Sequence, residues 1–234
     1  MRLIFLILIA LISNINADTA TIDKQQLANL KMTYTTGKGI TLPNGDDLAL
    51  TLATLSFRET SFMTNMNPAQ VSTKYYILVN GKKQYFKMTQ KFNESKKQVV
   101  DFKGKKYVVN KEVYYGNDSL GPMEMKLSTA KVVIKKTPQL KKYLPLLKNN
   151  AELVKLIHTD KQFAVKLAGY YLIICYKEGE QKFGKNGNAN FVRAISRYNG
   201  GWNNIKYLLK FRKDRMFVKH LVKVHRIDNQ MKEI

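Results

Sequence analysis

The rhythm of apolar and polar positions changes three times along the chain. Residues Leu3 to Ile12 are continuously apolar, preceded by Arg2 and followed by small and polar residues as far as Ala17. Such a run reads as a secretory leader cut after Ala17, with an uncleaved membrane anchor as the alternative, and it is short for a bilayer span. Residues 18–45 are polar and turn-rich and give no strong helix signal. Asp46 and Asp47 can cap a helix, and directly after them Leu48, Leu52 and Leu55 repeat at i, i+4 and i+7, which predicts a helix over 48–58 with one buried face. Four residues further along the same stripe stands Glu59. A carboxyl carried at the end of an apolar face is taken toward the interior or a cleft floor, where desolvation favours its protonated form, the state a general acid needs near neutrality.

From Ser72 to Gly116 the pattern becomes short Tyr- and Val-rich runs, a β-rich basic insertion over 72–116. Tyr75–Val79 and Gln84–Met88 flank Asn80-Gly81, and Val99–Phe102 and Lys106–Val109 flank Lys103-Gly104-Lys105, so two β-hairpins are predicted. After Leu120 helical spacing returns: 128–136, 151–158, 161–177, and 190–198 with Phe191, Ile195 and Tyr198 on one face, stopped by Asn199-Gly200-Gly201. A basic helical tail carries Phe217, Leu221 and Val224 at the same spacing. There are no internal repeats, and the fold class is mainly α (α+β).

Composition narrows the function classes. The 234 residues, 44% hydrophobic, suit one compact domain over 18–234. Lys and Arg outnumber Asp and Glu 40 to 17, a formal net charge of +23, which calls for an extended anionic partner: nucleic acid, a membrane surface or an anionic cell wall. Export argues against nucleic acid, and the lysines are scattered without an interleaved stacking motif. Cys175 is alone in an apolar stretch, so it forms no internal disulfide and reads as a core residue. His158, His220 and His225 are dispersed without paired spacing or a carboxylate cluster, so neither a metal site nor a cofactor is expected. Gly184 and Gly187 follow no strand, which removes phosphate cradling, and the serines lack a nucleophile-elbow context.

Four segments, in order, carry a resemblance: Ser56-Phe57-Arg58-Glu59-Thr60-Ser61-Phe62; Ser119-Leu120-Gly121-Pro122-Met123-Glu124 with Leu127-Ser128-Thr129-Ala130; Ala168-Gly169-Tyr170-Tyr171-Leu172; and Ala194-Ile195-Ser196-Arg197-Tyr198-Asn199-Gly200-Gly201. Together they resemble the signature of the soluble lytic transglycosylase family, whose fold is shared with goose-type lysozyme. The resemblance implies a lysozyme-like helical domain and Glu59 as the catalytic acid. It also implies substrate contacts from Thr60, Ser61, Met123, Glu124, Tyr170 or Tyr171, Tyr198 and Asn199, with core packing as the other reading of the aromatics. The partner it implies is the peptidoglycan glycan strand in the periplasm or outside the cell, with an envelope-spanning secretion or assembly complex as a further partner.

The sequence departs from the family at three points. Gly121 follows Glu59 by 62 positions, far more than usual, because the β insertion lies between them. Thr60 replaces a serine and keeps the hydroxyl. Glu124 replaces a glutamine and adds a second carboxyl, which bears on mechanism, since a hydrolysing glycosidase normally works with two carboxyls. A muramidase on the same fold and a non-catalytic wall-binding protein therefore stand as alternatives, and the insertion is either a wall-binding surface or a set of solvated strand faces.

Overall fold

The computed structural model describes residues 22–63, 71–87, 97–115 and 119–228. The leader expected at 1–17 lies outside them. Seven α-helices are described: α1 Lys24–Lys38, α2 Ala49–Thr60, α3 Leu127–Lys136, α4 Asn150–Thr159, α5 Lys161–Phe183, α6 Gly187–Tyr198 and α7 Ile205–Val224. The strands are β1 Val71–Val79, β2 Lys82–Phe86, β3 Val99–Phe102, β4 Lys105–Val108, β5 Asn110–Tyr115, β6 Ser119–Leu120 and β7 Met125–Lys126. A mainly helical α+β chain with small antiparallel sheets is the result, as the sequence predicts. Among the described residues no helix is long and apolar enough to cross a membrane.

The long helix α5 is the centre of the larger core. Phe163, Leu167, Ala168, Leu172 and Cys175 on it are buried together with Leu48, Leu52 and Leu55 of the α2 segment and with Val133, Ile134, Leu153 and Ile157 from α3 and α4. A second cluster joins Leu30 and Tyr34 of α1, Ala49 and Ala53 of α2, Phe62, and Val218 and Leu221 of α7. Helix α2 therefore lies between two cores, which explains why Leu48, Leu52 and Leu55 are all 0% exposed. The N-cap position of α2 is Leu48, without a side-chain cap, and Asp47 just before it accepts a 2.9 Å hydrogen bond from the Ala49 amide.

Helix α1 overturns the expectation of an irregular lead-in. Asp23 accepts from the Gln26 amide and Gln26 reaches back to the Asp23 amide, a complete capping box. The buried face alternates Leu30 and Tyr34 with Asn29, Thr33 and Gly37, so half of it is polar or small and the apolar period is weak. Gly37 is there for contact: a Cβ would sit 2.6 Å from the Ala49 Cα. A 3₁₀ segment over Pro138–Lys148, with Pro145 inside it, is likewise not expressed as a period in the sequence.

Both hairpins form where the turn chemistry places them. Val79 pairs with Lys82 across Asn80-Gly81 and Phe102 with Lys105 across Lys103-Gly104, each turn with both central residues at positive φ. The second strand of the second hairpin starts one residue earlier than predicted, and β5 adds a third strand in the order β2-β1-β5. Met88 lies outside the described residues. Most side chains of β2, β3 and β4 are exposed. On the sheet face the Lys83 ammonium stands 4.7 Å from the Tyr76 ring centroid, Tyr76 and Tyr85 rings meet at 5.8 Å, and Tyr85 and Lys83 both bond Glu112. The tail helix also departs from expectation: its buried stripe runs through Tyr207, Phe211, Val218 and Leu221, leaving Val224 exposed.

Candidate active site

Glu59 occupies the last turn of α2, and the chain leaves that turn in an unusual way. Ser61, Phe62 and Met63 all adopt positive φ, at 48°, 56° and 67°. Three consecutive left-handed residues that are not glycine cost roughly 1 kcal/mol or more each, and persist only where the surroundings fix them. Here they are fixed: the Phe62 amide donates to the Ser56 carbonyl at 3.1 Å, Asn29 Nδ2 donates to the Phe62 carbonyl at 2.7 Å, and Phe62 and Met63 are buried. The Thr60 hydroxyl completes the clamp, lying 3.1 Å from the Ser56 carbonyl and 2.9 Å from the Pro122 carbonyl and accepting from the Met63 amide at 3.0 Å. The end of the acid helix is thereby attached to the 3₁₀ turn Gly121–Met123.

That turn is the second anchor. Gly121 sits at φ 64°, and a Cβ there would meet the Ile157 carbonyl oxygen at 2.7 Å, so α4 packs directly on its backbone. The Tyr198 hydroxyl donates a 2.6 Å hydrogen bond to the Met123 carbonyl, which brings the C-terminal end of α6 onto the same turn. Burial, then the negative charge of Glu59, holds the Tyr198 phenol well above its ordinary range, so it stays a neutral donor.

Glu59 meets one partner through its side chain. The Tyr207 hydroxyl, from the first turn of α7, donates to Glu59 Oε1 at 2.6 Å, and Oε2 takes no hydrogen bond from the described residues. Burial pushes the Glu59 carboxyl up from its ordinary value, against the hydrogen bond from Tyr207 and the charge of Arg58. Arg58 is itself ion-paired with Asp214 of α7 and lies 5.3 Å from the Tyr207 ring centroid, so its charge is largely neutralised beside the acid. Burial also raises the Tyr207 phenol, so it stays a protonated donor to Glu59. Asn204, the N-cap of α7, accepts from the Tyr207 amide at 3.1 Å and so fixes where that helix starts.

Two cavities meet at Glu59 and Asn199. One, of about 380 Å³, is bounded by Glu59, Glu124, Thr129, Tyr171, Arg197, Tyr198, Asn199 and Gly200. The other, of about 270 Å³, is bounded by Arg58, Glu59, Asn199, Asn204, Lys206, Tyr207 and Lys210. Together they make a groove with the partly desolvated Glu59 carboxyl in the wall that the two cavities share. Its lining is more polar than apolar and includes Lys126, Arg197, Lys206 and Lys210.

The sequence-predicted site residues divide between groove and framework. Glu59, Glu124, Tyr171, Tyr198 and Asn199 come together around the groove, with the Tyr171 and Tyr198 rings 5.7 Å apart. Thr60 and Met123, each 1% exposed, do not face a ligand: the first spends its hydroxyl on the clamp and the second contributes its carbonyl to Tyr198 while its side chain fills the core. Ser61 is the C-cap of α2, its amide bonded to the Phe57 carbonyl at 2.8 Å, and it lines neither cavity. Tyr170 borders a different cavity of about 670 Å³ with Pro43, Pro138 and Ile174, because adjacent helical residues diverge by about 100° and only one of the two tyrosines can face the groove. Cys175 is buried, its thiol pushed up to about 12 by burial. Among the described residues no group of His, Cys, Asp and Glu could hold a metal ion.

Sequence reasoning missed Tyr207, Arg197 and Asn204. The signal for Tyr207 was present, since Asn204 as a cap followed by Tyr207 and Phe211 at i, i+4 sets the start and the buried face of α7. No known protein family, curated protein or solved structure matches the chain.

Proposed function

We propose that this chain is a peptidoglycan lytic transglycosylase with a lysozyme-like helical core, acting in the periplasm or outside the cell with Glu59 as its acid and base. The observation that carries the reading is a helix-end glutamate, raised by burial and held by one tyrosine, in the wall shared by two adjoining cavities. In that mechanism protonated Glu59 gives its proton from Oε2 to the glycosidic oxygen between N-acetylmuramic acid and N-acetylglucosamine. The C1–O bond breaks, and the muramyl acetamido oxygen closes on C1. The Glu59 carboxylate, steadied at Oε1 by Tyr207, then takes the proton of the same sugar's 6-hydroxyl as its oxygen attacks C1 and displaces the acetamido oxygen, leaving a 1,6-anhydro ring. Burial favours the neutral acid before the first step and the Tyr207 hydrogen bond favours the carboxylate after it, so one residue serves both. Tyr198, beside Glu59 and locked to Met123, supports the acetamido side of the groove. An envelope-spanning secretion or assembly complex is the setting in which such local wall opening is useful.

Glu124 favours a second reading. It borders the same cavity as Glu59, which makes it the candidate second carboxyl of a muramidase that activates water. Mass spectrometry of fragments released from purified peptidoglycan separates the two. Products ending in 1,6-anhydro-muramic acid, formed equally by Glu124→Gln, are expected. Reducing ends that disappear in Glu124→Gln assign the muramidase, and no fragments at all would refute both.

A further inference from the structure

The helix that holds Tyr207 against Glu59 has a second face. Ile205, Leu209 and Met216 are four and eleven residues apart, which brings them into one narrow outward sector of α7, and they are 66%, 64% and 71% exposed. Beside them α6 and α7 bound an apolar trough of about 450 Å³, lined by Phe191, Val192, Ile195, Leu208 and Leu209. Val192 is exposed as well. Single apolar residues on a surface need no explanation, whereas a contiguous set around a trough marks an interaction surface.

The charges on the same helix decide what covers it. Lys206, Lys210, Arg212, Lys213, Lys219 and Lys223 are all exposed, while the one acid of α7, Asp214, turns inward to Arg58. A second copy of this chain would set the same cations against each other, which repels. An anionic phospholipid surface answers both features at once, with acyl chains receiving the apolar residues and headgroup phosphates the cations. We propose that the α6–α7 face docks this protein on an anionic phospholipid surface, with Ile205, Leu209 and Met216 inserted at the headgroup boundary. Lys206 and Lys210 also bound the cavity beside Glu59, so the mouth of the groove then opens next to the bilayer.

The experiment is co-sedimentation at physiological ionic strength with vesicles of phosphatidylglycerol and phosphatidylethanolamine, against vesicles of phosphatidylcholine. A chain of this net charge adheres to any anionic surface to some degree, so the deciding variant keeps every charge: Ile205→Ser, Leu209→Ser and Met216→Ser combined, its helix content checked by circular dichroism. The wild-type chain is expected to bind the anionic vesicles and not the neutral ones, and the triple variant to bind about tenfold more weakly or worse. Met216→Trp supplies a second readout, a blue shift of its emission on adding anionic vesicles relative to the wild-type chain with Trp202 alone. Undiminished binding by the triple variant, or no shift at position 216, would overturn the proposal in favour of diffuse charge. So would a dimer, seen by light scattering, that the triple variant abolishes while vesicles are ignored.

Discussion

Replacing Tyr207 by phenylalanine removes a single oxygen from the site and leaves the rest of the ring's contacts. The ring keeps its stack on Phe211 and its place under Arg58, and the Asn204 cap still fixes the start of α7. What is lost is the 2.6 Å hydrogen bond to Glu59 Oε1. A hydrogen bond to a charged group contributes about 1.5–3 kcal/mol net, and it acts here on the carboxylate, not on the neutral acid. Without that bond the Glu59 carboxyl of the variant moves further up. On the proposed mechanism turnover needs Glu59 protonated at rest, so the alkaline limb of the pH–rate profile shifts to higher pH. At pH values where both proteins are fully protonated, the variant is slower by about tenfold to a hundredfold, because the carboxylate forming in the transition state has lost its donor. Release of soluble fragments from purified peptidoglycan across a pH series reads both effects. A slower enzyme whose alkaline limb stays put, or moves to lower pH, would refute the argument, since a purely structural defect lowers the rate without that shift.

The substitution Glu59→Gln should abolish fragment release and, less obviously, stabilise the fold at high pH. The folded pKa of Glu59 lies above its unfolded value, so the native protein binds the extra proton between the two, and wild-type stability falls as pH rises through that window. Glutamine still accepts from Tyr207 and is never charged. Thermal unfolding should accordingly give the variant the higher midpoint at pH 8 and bring the two proteins together at pH 4, and a less stable variant at pH 8 would contradict the burial argument. Gly121→Ala combines a positive φ with a clash against the Ile157 carbonyl and should cost about 2–4 kcal/mol, read as a lower urea midpoint together with reduced activity, since the turn it distorts holds both Thr60 and Tyr198.

What could be read from the chain followed the strength of the local signal. Leu48, Leu52 and Leu55 form a purely apolar stripe, and from it both the helix and the delivery of Glu59 to a partly desolvated position were legible. Asn80-Gly81 dictates its turn because both residues tolerate positive φ, whereas at the second hairpin Gly104 marks the turn but the connection takes two residues, with Lys103 at positive φ, and not the three expected. Helix α1 was hidden because its buried face is made of Asn29, Thr33 and Gly37 as much as of Leu30 and Tyr34, with the Asn29 amide satisfied by the Phe62 carbonyl and the Thr33 hydroxyl by the Asn29 carbonyl one turn back. The site was half legible for a related reason. Motif positions identify which residues gather near the groove, but they do not separate those that line it, such as Tyr171 and Asn199, from those that hold the frame, such as Thr60 and Met123. For Tyr207 the cap and the apolar spacing in the sequence mark its place on the buried face of α7, while the contact of its hydroxyl with Glu59 is a tertiary feature with no local signal.

The hydrogen bond from Thr60 to Pro122 spans 62 positions of sequence and closes the entire β insertion into a loop. The entropy of closing such a loop grows only logarithmically, so each doubling of its length costs about 0.6 kcal/mol. With both ends pinned beside Glu59, the segment between them is free to lengthen, shorten or be exchanged at little cost to the position of that residue. A lineage can thus acquire new surface on this scaffold without renegotiating the position of Glu59, and an engineer can graft a different module between the same two anchors.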